Sequence, residues 1–519
     1  MTSDSINLDD YNIITEGKAN ILFPKENKVF YNPVQQFNRD LSVAAIRAWD
    51  ELYNLSNKKA KGKANKNKKK NGKRNENKTD NNDKENSKPL VIDNNRPRIN
   101  ILEALSATGL RAIRYGKEIP NVGIVIANDL LPNAVKLIEK NIKYNKIGDI
   151  VKPNLGDANE FMYKSKNKKI NVIDLDPYGT AAPFIDAAIN CIEDNGLLLV
   201  TCTDLAVLAG NSYPEKCFSL YGGTNIRGDS THESALRLVI NMIANTASKY
   251  GKIIEPLLSL SIDFYVRIFI KVKRSPILVK DLASKTMVCY YCKRCGVIHK
   301  EYLGRRVERE NKPVKYTVNS RIRIGDECNF CGNEFIIAGP MWGDKIHDKE
   351  FVERVLKINR EEFQDEKVYG TKKRIEGMLT LAKNEIEEAF YFSPATLSSL
   401  LRTPLAPLND LFAAIGNLKY DGSLTHAQAS SIKTNAPWEI IIEIFKDFII
   451  KKNPDFNINK YEKDSVIFKI FSQSFIQDEK IKITWERNEL SDRISKLRKV
   501  KIVRYQQNPT KNWGPKAKP

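Results

Sequence analysis

The sequence predicts an α/β chain: a largely parallel sheet with helices on both faces, joined to a mixed α+β C-terminal half that carries a four-cysteine metal module. Three observations predict it. From Arg98 to Val272, β-branched-rich runs alternate with amphipathic stretches, as in successive strand–helix units. Two Cys-x-x-Cys-Gly knuckles follow, Cys292-Lys-Arg-Cys295-Gly and Cys328-Asn-Phe-Cys331-Gly. Beyond residue 345 the apolar spacing becomes helical.

In chain order, residues 1–14 are expected to be flexible and 15–55 to begin the folded part. Phe37-Asn-Arg-Asp40 opens a helix whose Leu41, Ala44, Ala45, Ala48, Trp49 and Leu52 share one face. Residues 56–96 are dominated by Asn and Lys and cannot bury enough apolar surface to offset ordering entropy, so they are expected to be a disordered insertion. The α/β core is expected over 97–275, with strands at 99–104, 122–127, 149–153, 170–175, 196–202, 257–263 and 265–272. Helices are expected between them at 108–117, 132–145, 157–164, 180–192 and 231–249. The last two strands have no helix between them, so one should run antiparallel. Residues 203–230 are Gly- and turn-rich and read as a loop over the active edge. The C-terminal domain is expected over 276–519, with the metal module at 286–335. Leu408, Leu411, Phe412 and Ile415 have helical spacing; a turn at Asp421-Gly422, a helix around 425–433 and a buried helix from Trp438 to Ile450 should follow. That succession fits a helix-turn-helix or winged-helix-like module, and equally a helical hairpin with no nucleic-acid role.

Composition narrows the function class. Lys+Arg 84 against Asp+Glu 63 gives a net charge of +21, which favours a polyanionic partner, nucleic acid first. Between Asn57 and Lys88 there are 13 Lys/Arg and 4 Asp/Glu, so the insertion holds +9 and the remainder is still basic. Lys66 to Arg74 is a candidate nuclear localisation signal or RNA-gripping arm, or part of an inert insertion. Met1 to Asn12 carries three Asp and no Lys or Arg, unlike a basic secretory or mitochondrial presequence. No apolar run is long enough for a membrane span, and no feature demands an obligate protein partner.

The candidate site centres on Ile170 to Thr180. Ile170, Val172, Ile173 and Leu175 form a short strand, and Asp176, Pro177 and Tyr178 lie just past its carboxyl end. Ligands bind at that edge of an open α/β sheet. A carboxylate and the carbonyls beside a proline can accept both hydrogens of an exocyclic amine, and Tyr178 can stack on a flat base. The alternative is an ordinary Asp-Pro-Tyr-Gly turn. Ser106-Ala-Thr-Gly109 after the first strand lets a ligand approach the backbone, Asp129 follows the second strand at a spacing suited to ribose hydroxyls, and Gly156-Asp157-Ala158 follows the third. Each acid alone is as readily a helix cap. Three acids at three strand ends together mark the edge where a nucleoside-bearing cofactor would bind. Asp204 is either a substrate contact or a cap.

The two knuckles, with 32 residues between them, point to a structural zinc held by Cys292, Cys295, Cys328 and Cys331; Cys289 is a spare neighbour. Between the knuckles, Arg305, Arg306, Arg309, Lys312, Lys315, Arg321 and Arg323 interleave with Tyr302 and Tyr316, which suits a phosphate backbone. A solvated hairpin has the same pattern.

Several segments together resemble the eukaryotic and archaeal tRNA (guanine-26) N2-dimethyltransferase family: Val29-Phe-Tyr-Asn-Pro33, Phe37-Asn-Arg-Asp40, Ser106-Ala-Thr-Gly-Leu-Arg111, Asp174-Leu-Asp-Pro-Tyr-Gly179 and Cys202-Thr-Asp204. The knuckles, Gly339-Pro-Met-Trp342, Thr425-His426 with Lys433-Thr434, and Arg504 to Pro515 extend the match. The resemblance implies a class I S-adenosylmethionine methyltransferase (Rossmann-like) domain with tRNA as partner. It implies donor-binding roles for Arg39, Arg111, Asp129, Asp157 and Ala158, and a catalytic group of Asp176, Pro177, Tyr178 and Phe30, with Phe30 and Tyr178 sandwiching the guanine. Many members carry Phe where this chain has Tyr178. The implied location is the nucleus, with the mitochondrion as a second compartment. Two rivals share parts of the pattern: an amino methyltransferase acting on DNA or a small molecule, and a non-catalytic RNA-binding protein with a degenerate donor pocket.

Overall fold

A computed structural model describes residues 7–25, 31–54, 96–210, 212–320, 324–475, 482–500 and 502–504. The insertion at 56–96, Lys66–Arg74 included, falls almost wholly outside them, as do Phe30, Arg321, Arg323 and the tail after Arg504.

A hairpin, β1 (Tyr11–Glu16) and β2 (Ala19–Pro24), precedes α1 (Gln36–Tyr53). The strand–helix units are β3 (Ile99–Glu103), α2 (Leu110–Glu118), β4 (Val122–Asp129), α3 (Pro132–Tyr144), β5 (Val151–Leu155), α4 (Ala158–Lys164), β6 (Ile170–Leu175), α5 (Ile185–Cys191) and β7 (Ile192–Cys202). Two short helices follow, α6 (Leu205–Leu208) and α7 (Pro214–Tyr221), then α8 (Thr231–Ser248), β8 (Lys252–Ile262) and β9 (Tyr265–Arg274). The seven strands lie in the order β5-β4-β3-β6-β7-β9-β8, and β9 runs antiparallel to both neighbours. The missing helix before the last strand therefore had the topological meaning read from the sequence. Strand order reverses between β3 and β6, so the crevice for a ligand lies past Glu103 and Leu175.

The strands are apolar on both faces because both are covered. On one face Ile101, Val125, Val172 and Leu199 pack with α1, α2 and α3, and with Phe351, Val355, Leu379 and Ala382 from the C-terminal half. On the other, Leu102, Ile173, Leu198 and Val200 pack with α5 and α8, and with Met287, Ala338 and Met341. Both faces of the sheet are thus completed by residues beyond 275.

The C-terminal half adds β10 (Thr286–Cys292), β11 (Ile298–Tyr302), the hairpin β12 (Gly304–Arg309) and β13 (Lys312–Val318), and β14 (Phe335–Trp342). Helices α9 (Lys349–Glu361), α10 (Lys372–Asn384), α11 (Pro394–Leu400) and α12 (Leu408–Asn417) follow, then β15 (Gly422–Leu424), β16 (Ile432–Thr434), α13 (Trp438–Lys452), α14 (Val466–Phe471) and α15 (Glu489–Lys499). A third apolar cluster joins the four knuckle cysteines to α12, α13 and α15.

Two expectations are corrected. Residues 425–433 form no helix: the segment leads from β15 into β16, where Ile432 pairs with Leu424 and Phe392, and Glu385 accepts from the His426 amide at 2.6 Å. The helix-turn-helix reading loses its second helix with it. Residues 203–230 contain α6 and α7 rather than loop alone, and α7 ends on Gly222 at a left-handed φ of 71°.

Candidate active site and metal centre

The carboxyl edge of the sheet is held by hydrogen bonds that cross strand ends. Ala104 N–H donates to the Asp174 carbonyl (3.1 Å), Ser106 N–H to that of Asn128 (2.8 Å), and Gly156 N–H to that of Asp129 (3.0 Å). The Asn128 amide bridges the carbonyls of Ala104 and Gly156. The ends of β3, β4 and β6 and the turn at Gly156 are therefore parts of one rim.

On the β4–β5 side, the Asp129 carboxylate accepts from Ala107 N–H (2.8 Å) and Leu131 N–H (2.9 Å). Asp157 caps α4 by accepting from Glu160 N–H, and Ala158 is buried beneath it. The cap and ligand-binding readings of Asp157 are compatible, since a capping carboxylate stays exposed on its outer side. Ala107 and Gly109 both take left-handed φ, 48° and 77°, so the loop after β3 bends sharply around the crevice. Leu130, Leu131 and Leu155 stand exposed beside these acids and supply apolar walls.

On the β6 side, Pro177 is buried and the Tyr178 ring is 45% exposed. Burial and the nearby Asp176 and Asp129 carboxylates push the Tyr178 hydroxyl well above its ordinary range, so it stays protonated. Arg111 donates to Asp176 Oδ2. The other oxygen, Asp176 Oδ1, is buried with no hydrogen-bond partner among the described residues. Arg111 also reaches Asn38 Oδ1 (3.4 Å) and Ser42 Oγ (3.3 Å), with Asp174 3.6 Å away. The structure thus brings Arg111 to Asp176 rather than to Asp129 or Asp157. Arg39 is committed elsewhere: its guanidinium forks onto Glu16 at 2.6 and 2.5 Å and donates to the Asn32 carbonyl, with Tyr31 against it. It braces the turn that follows Phe30.

Sequence reasoning missed the layer beneath. Asp174 is fully buried and receives both Arg267 nitrogens (2.8 and 3.1 Å) and the Tyr115 hydroxyl. Burial would raise the Asp174 carboxyl, but Arg267 and Arg111 hold it below its usual range. Glu103 accepts from Ser106 Oγ and Ala112 N–H, and burial pushes its carboxyl up to about 8. A charged residue in the last two positions of a buried strand was the available signal for both.

The metal site assembles as the spacing implied. Cys292, Cys295, Cys328 and Cys331 are buried, and their sulfurs all lie within 4.8 Å of one another. Thiolates 2.3 Å from a tetrahedral zinc would stand about 3.8 Å apart; the pairs Cys292–Cys331 and Cys295–Cys328 are 3.4 and 3.5 Å. Gly296 and Gly332 take the left-handed turn after each knuckle, donating to the carbonyls of Cys292 and Cys328. Cys289 is buried in the sheet-face core, outside the group.

A second buried group, His347, Glu385 and His426, has metal-like proximity but the wrong protons. The Ser259 and Ser261 amides donate to His347 Nδ1 (3.4 Å) and His426 Nε2 (3.2 Å). Each far nitrogen is therefore an acceptor, and the nitrogen facing Glu385 carries the hydrogen. Lys433 completes the cluster, 2.9 Å from both Glu385 and Glu233. This is a charge-paired seam between α8 and the C-terminal half.

Between the knuckles, β12 and β13 present Arg306, Arg309, Lys312 and Lys315 on an exposed hairpin; Arg305 is tied to Asn319 and Arg306 to Asp281 and Glu308.

Residues 9–446 match the family described as TRM, N2,N2-dimethylguanosine tRNA methyltransferase. The tRNA (guanine(26)-N(2))-dimethyltransferase, mitochondrial, of Saccharomyces cerevisiae is 53% identical over 99% of this chain and 93% of its own length. The enzyme of that name from Schizosaccharomyces pombe is 44% identical over 98% and 92%. Among solved structures, Trm1 from Pyrococcus horikoshii in complex with S-adenosyl-L-methionine superposes with a TM-score of 0.63 at 26% identity, over 83% of this chain and 99% of that one. On these matches, and on a sheet, a strand-end rim and a four-cysteine centre that agree with them, the chain belongs to the N2,N2-dimethylguanosine tRNA methyltransferase family.

Proposed function

We propose that Asp176 presents the guanine N2 amine for methylation and that Tyr178 stacks on the base. The chain is a tRNA (guanine(26)-N2)-dimethyltransferase that uses S-adenosylmethionine. The observation that carries the site assignment is Asp176: Arg111 holds Oδ2, and Oδ1 is a buried acceptor with no donor. Buried carboxylate oxygens are ordinarily paired, and an exocyclic N–H would pair this one. With Oδ2 pinned, the direction in which Oδ1 accepts is fixed before substrate arrives, so the amine lone pair is aimed by the protein rather than by chance encounter.

The donor fits the β3–β5 side of the rim. Asp129 is placed for the ribose hydroxyls, Asp157 and Ala158 for the adenine edge, and the Ser106–Gly109 bend for close backbone approach. The cofactor supplies a methyl group already activated on a sulfonium. Asp176 Oδ1 is the acceptor placed to receive the amine proton. Tyr178, on the same turn, is 45% exposed; stacking on an aromatic side chain is worth roughly 1–3 kcal/mol per base. Phe30, outside the described residues, is the second wall implied by the family. The basic β12–β13 hairpin suits the tRNA backbone. The nucleus, through Lys66–Arg74, and the mitochondrion, named for the Saccharomyces cerevisiae relative, are the two locations this reading supports.

Asp176→Asn tests the assignment more sharply than alanine. Arg111 requires an acceptor, so the Asn oxygen would turn to it and the NH2 would face the guanine amine, donor against donor. Turnover should fall by about 100-fold or more, as when a transition-state hydrogen-bond partner is lost, while donor affinity by calorimetry stays within a few-fold. Collapse of donor binding in a folded Asp176→Asn protein would place Asp176 on the donor side instead. Labelled methyl recovered only in adenine or cytosine after digestion of the tRNA would overturn the substrate reading.

A further inference from the structure

The turn that carries Asp176 and Tyr178 is tied down on its far side by a hydroxyl relay. Gly179, with φ of +82°, donates its N–H to Thr203 Oγ1 (2.8 Å), and Thr203 N–H returns a bond to the Gly179 carbonyl (2.8 Å). Next in the chain, Thr180 Oγ1 lies 2.7 Å from the Tyr221 hydroxyl, which lies 2.8 and 2.9 Å from the two oxygens of Asp204. The direction of the protons follows from the chemistry of the three groups. An ionised Asp204 only accepts, so Tyr221 donates to it; Thr180 then donates to Tyr221 and accepts from Ala182 N–H (3.1 Å). Burial and the neighbouring Cys202 and Asp204 push the Tyr221 hydroxyl far above its ordinary range, so it remains a donor.

The Tyr221 ring is buried in the core against the sheet, and its packing needs no hydroxyl. Phenylalanine would fill the same space. The hydroxyl is the part that reaches the substrate turn, two residues past Tyr178, across the pliable Gly179. We propose that Tyr221 is a positioning residue of the methyl-acceptor site, bridging Thr180 to Asp204 so that the Asp176–Tyr178 turn is held in the geometry that presents the amine. The proposal rests on the assignment of that turn to the acceptor. It also gives α7 a purpose: Tyr221 is its last residue, so the helix anchors the turn from outside the sheet. Misplacing reacting groups by about 1 Å can cost about 100-fold in rate, and Thr180 is two residues from Tyr178.

The test compares Tyr221→Phe, Thr180→Val and their double variant in the full-length protein, with Asp176→Asn alongside. Tyr221→Phe should lower kcat by about 10-fold or more, with the KM for tRNA and donor affinity changed by less than about 3-fold and the melting temperature nearly kept. Thr180→Val should reproduce the loss, and the double variant should be no worse than the more impaired single one, because both cut the same relay. An unchanged kcat in Tyr221→Phe overturns the proposal, as does a loss that appears in donor affinity or stability instead. Should Tyr221→Phe fail to fold, an unchanged kcat in Thr180→Val overturns it equally. If Asp176→Asn itself turns over normally, the acceptor-site reading has failed. If only Asp176→Asn is impaired, that reading stands and the relay proposal falls.

Discussion

Replacing Lys433 by methionine should add a loss of stability with rising pH between about pH 5 and 8. Lys433 Nζ is 2.9 Å from Glu233 Oε2 and 2.9 Å from Glu385 Oε2, with all three side chains 1% exposed. Burial alone would raise both carboxyls. Lys433, with Arg237 on one side and His426 on the other, overcomes that and holds Glu233 down to about 2 and Glu385 well below its ordinary 4.5. In the native protein these groups contribute stability that is present above the unfolded value and lost only as pH falls through the depressed one. Methionine fills much of the lysine's volume but leaves two buried carboxylates facing each other. At a separation of ~5 Å and an effective dielectric of ~20, their repulsion is about 3 kcal/mol, in line with the ~3–5 kcal/mol cost of breaking buried pairs. Desolvation now dominates, so at least one carboxyl has a folded value above its unfolded one. Its contribution is then present below the unfolded value and lost as pH rises. Between pH 8 and 5 the stability gap between native protein and Lys433→Met should narrow by up to about 1.4 kcal/mol per pH unit. Melting curves of both proteins at pH 8, 7, 6 and 5 measure it. A gap that stays constant, or widens as pH falls, would refute the charge assignment of this seam.

Elemental analysis should find one zinc per chain, and Cys328→Ser should lose both the metal and folding stability, since structural zinc contributes folding energy directly; a metal-free, fully stable protein would eliminate the site. Arg111→Lys should lower kcat more than donor affinity, because an ammonium cannot hold Asp176 while also reaching Asn38 and Ser42; steady-state kinetics and calorimetry separate the two. Deleting residues 57–88 should leave kcat at saturating tRNA unchanged while removing net +9. Its effect should appear as a shallower salt dependence of tRNA binding and weaker nuclear accumulation of a fluorescent fusion; lost chemistry would show that the segment is structural.

What the sequence revealed, and what it hid, divides along one physical line. Strand–helix periodicity and the strand-end acids Asp129, Asp157 and Asp176 are local signals, set by neighbours a few residues away, and the sheet places them as read. The knuckles are local too, and their glycines betray the turn. Arg267 meets Asp174 across 93 residues, and Arg111 meets Asn38 and Ser42 across 73 and 69. No periodicity records such pairings, and the contact of Arg111 with Asp176 across 65 residues is another of them. The expected helix at 425–433 failed for the same reason: the segment is held by distant partners, Phe392 pairing with Ile432 and Glu385 accepting from the His426 amide. Asp204, left open as substrate contact or helix cap, makes no side-chain cap bond to the helix it precedes; its carboxylate ends the relay from Thr180.

The two successive transfers make unequal demands on Asp176, and this gives a last test. Guanine brings two N–H groups to the site, monomethylated guanine one, and dimethylated guanine none. While one hydrogen remains, Oδ1 can still be paired, so the monomethylated base keeps the contact that orients it for the second transfer. Once both hydrogens are gone, the same buried oxygen faces a methyl group. An unsatisfied buried acceptor costs about 1–3 kcal/mol, and more when charged, which is about 10- to 100-fold in affinity. Stacking on Tyr178 persists through all three states and cannot supply this difference. tRNA carrying N2-methylguanine should therefore bind nearly as tightly as unmodified tRNA, and tRNA carrying N2,N2-dimethylguanine at least ten times more weakly. In Asp176→Ala the three affinities should converge, because no buried oxygen remains to be stranded. Equal affinities in the unaltered protein would mean that Asp176 does not face the amine, whatever its effect on rate.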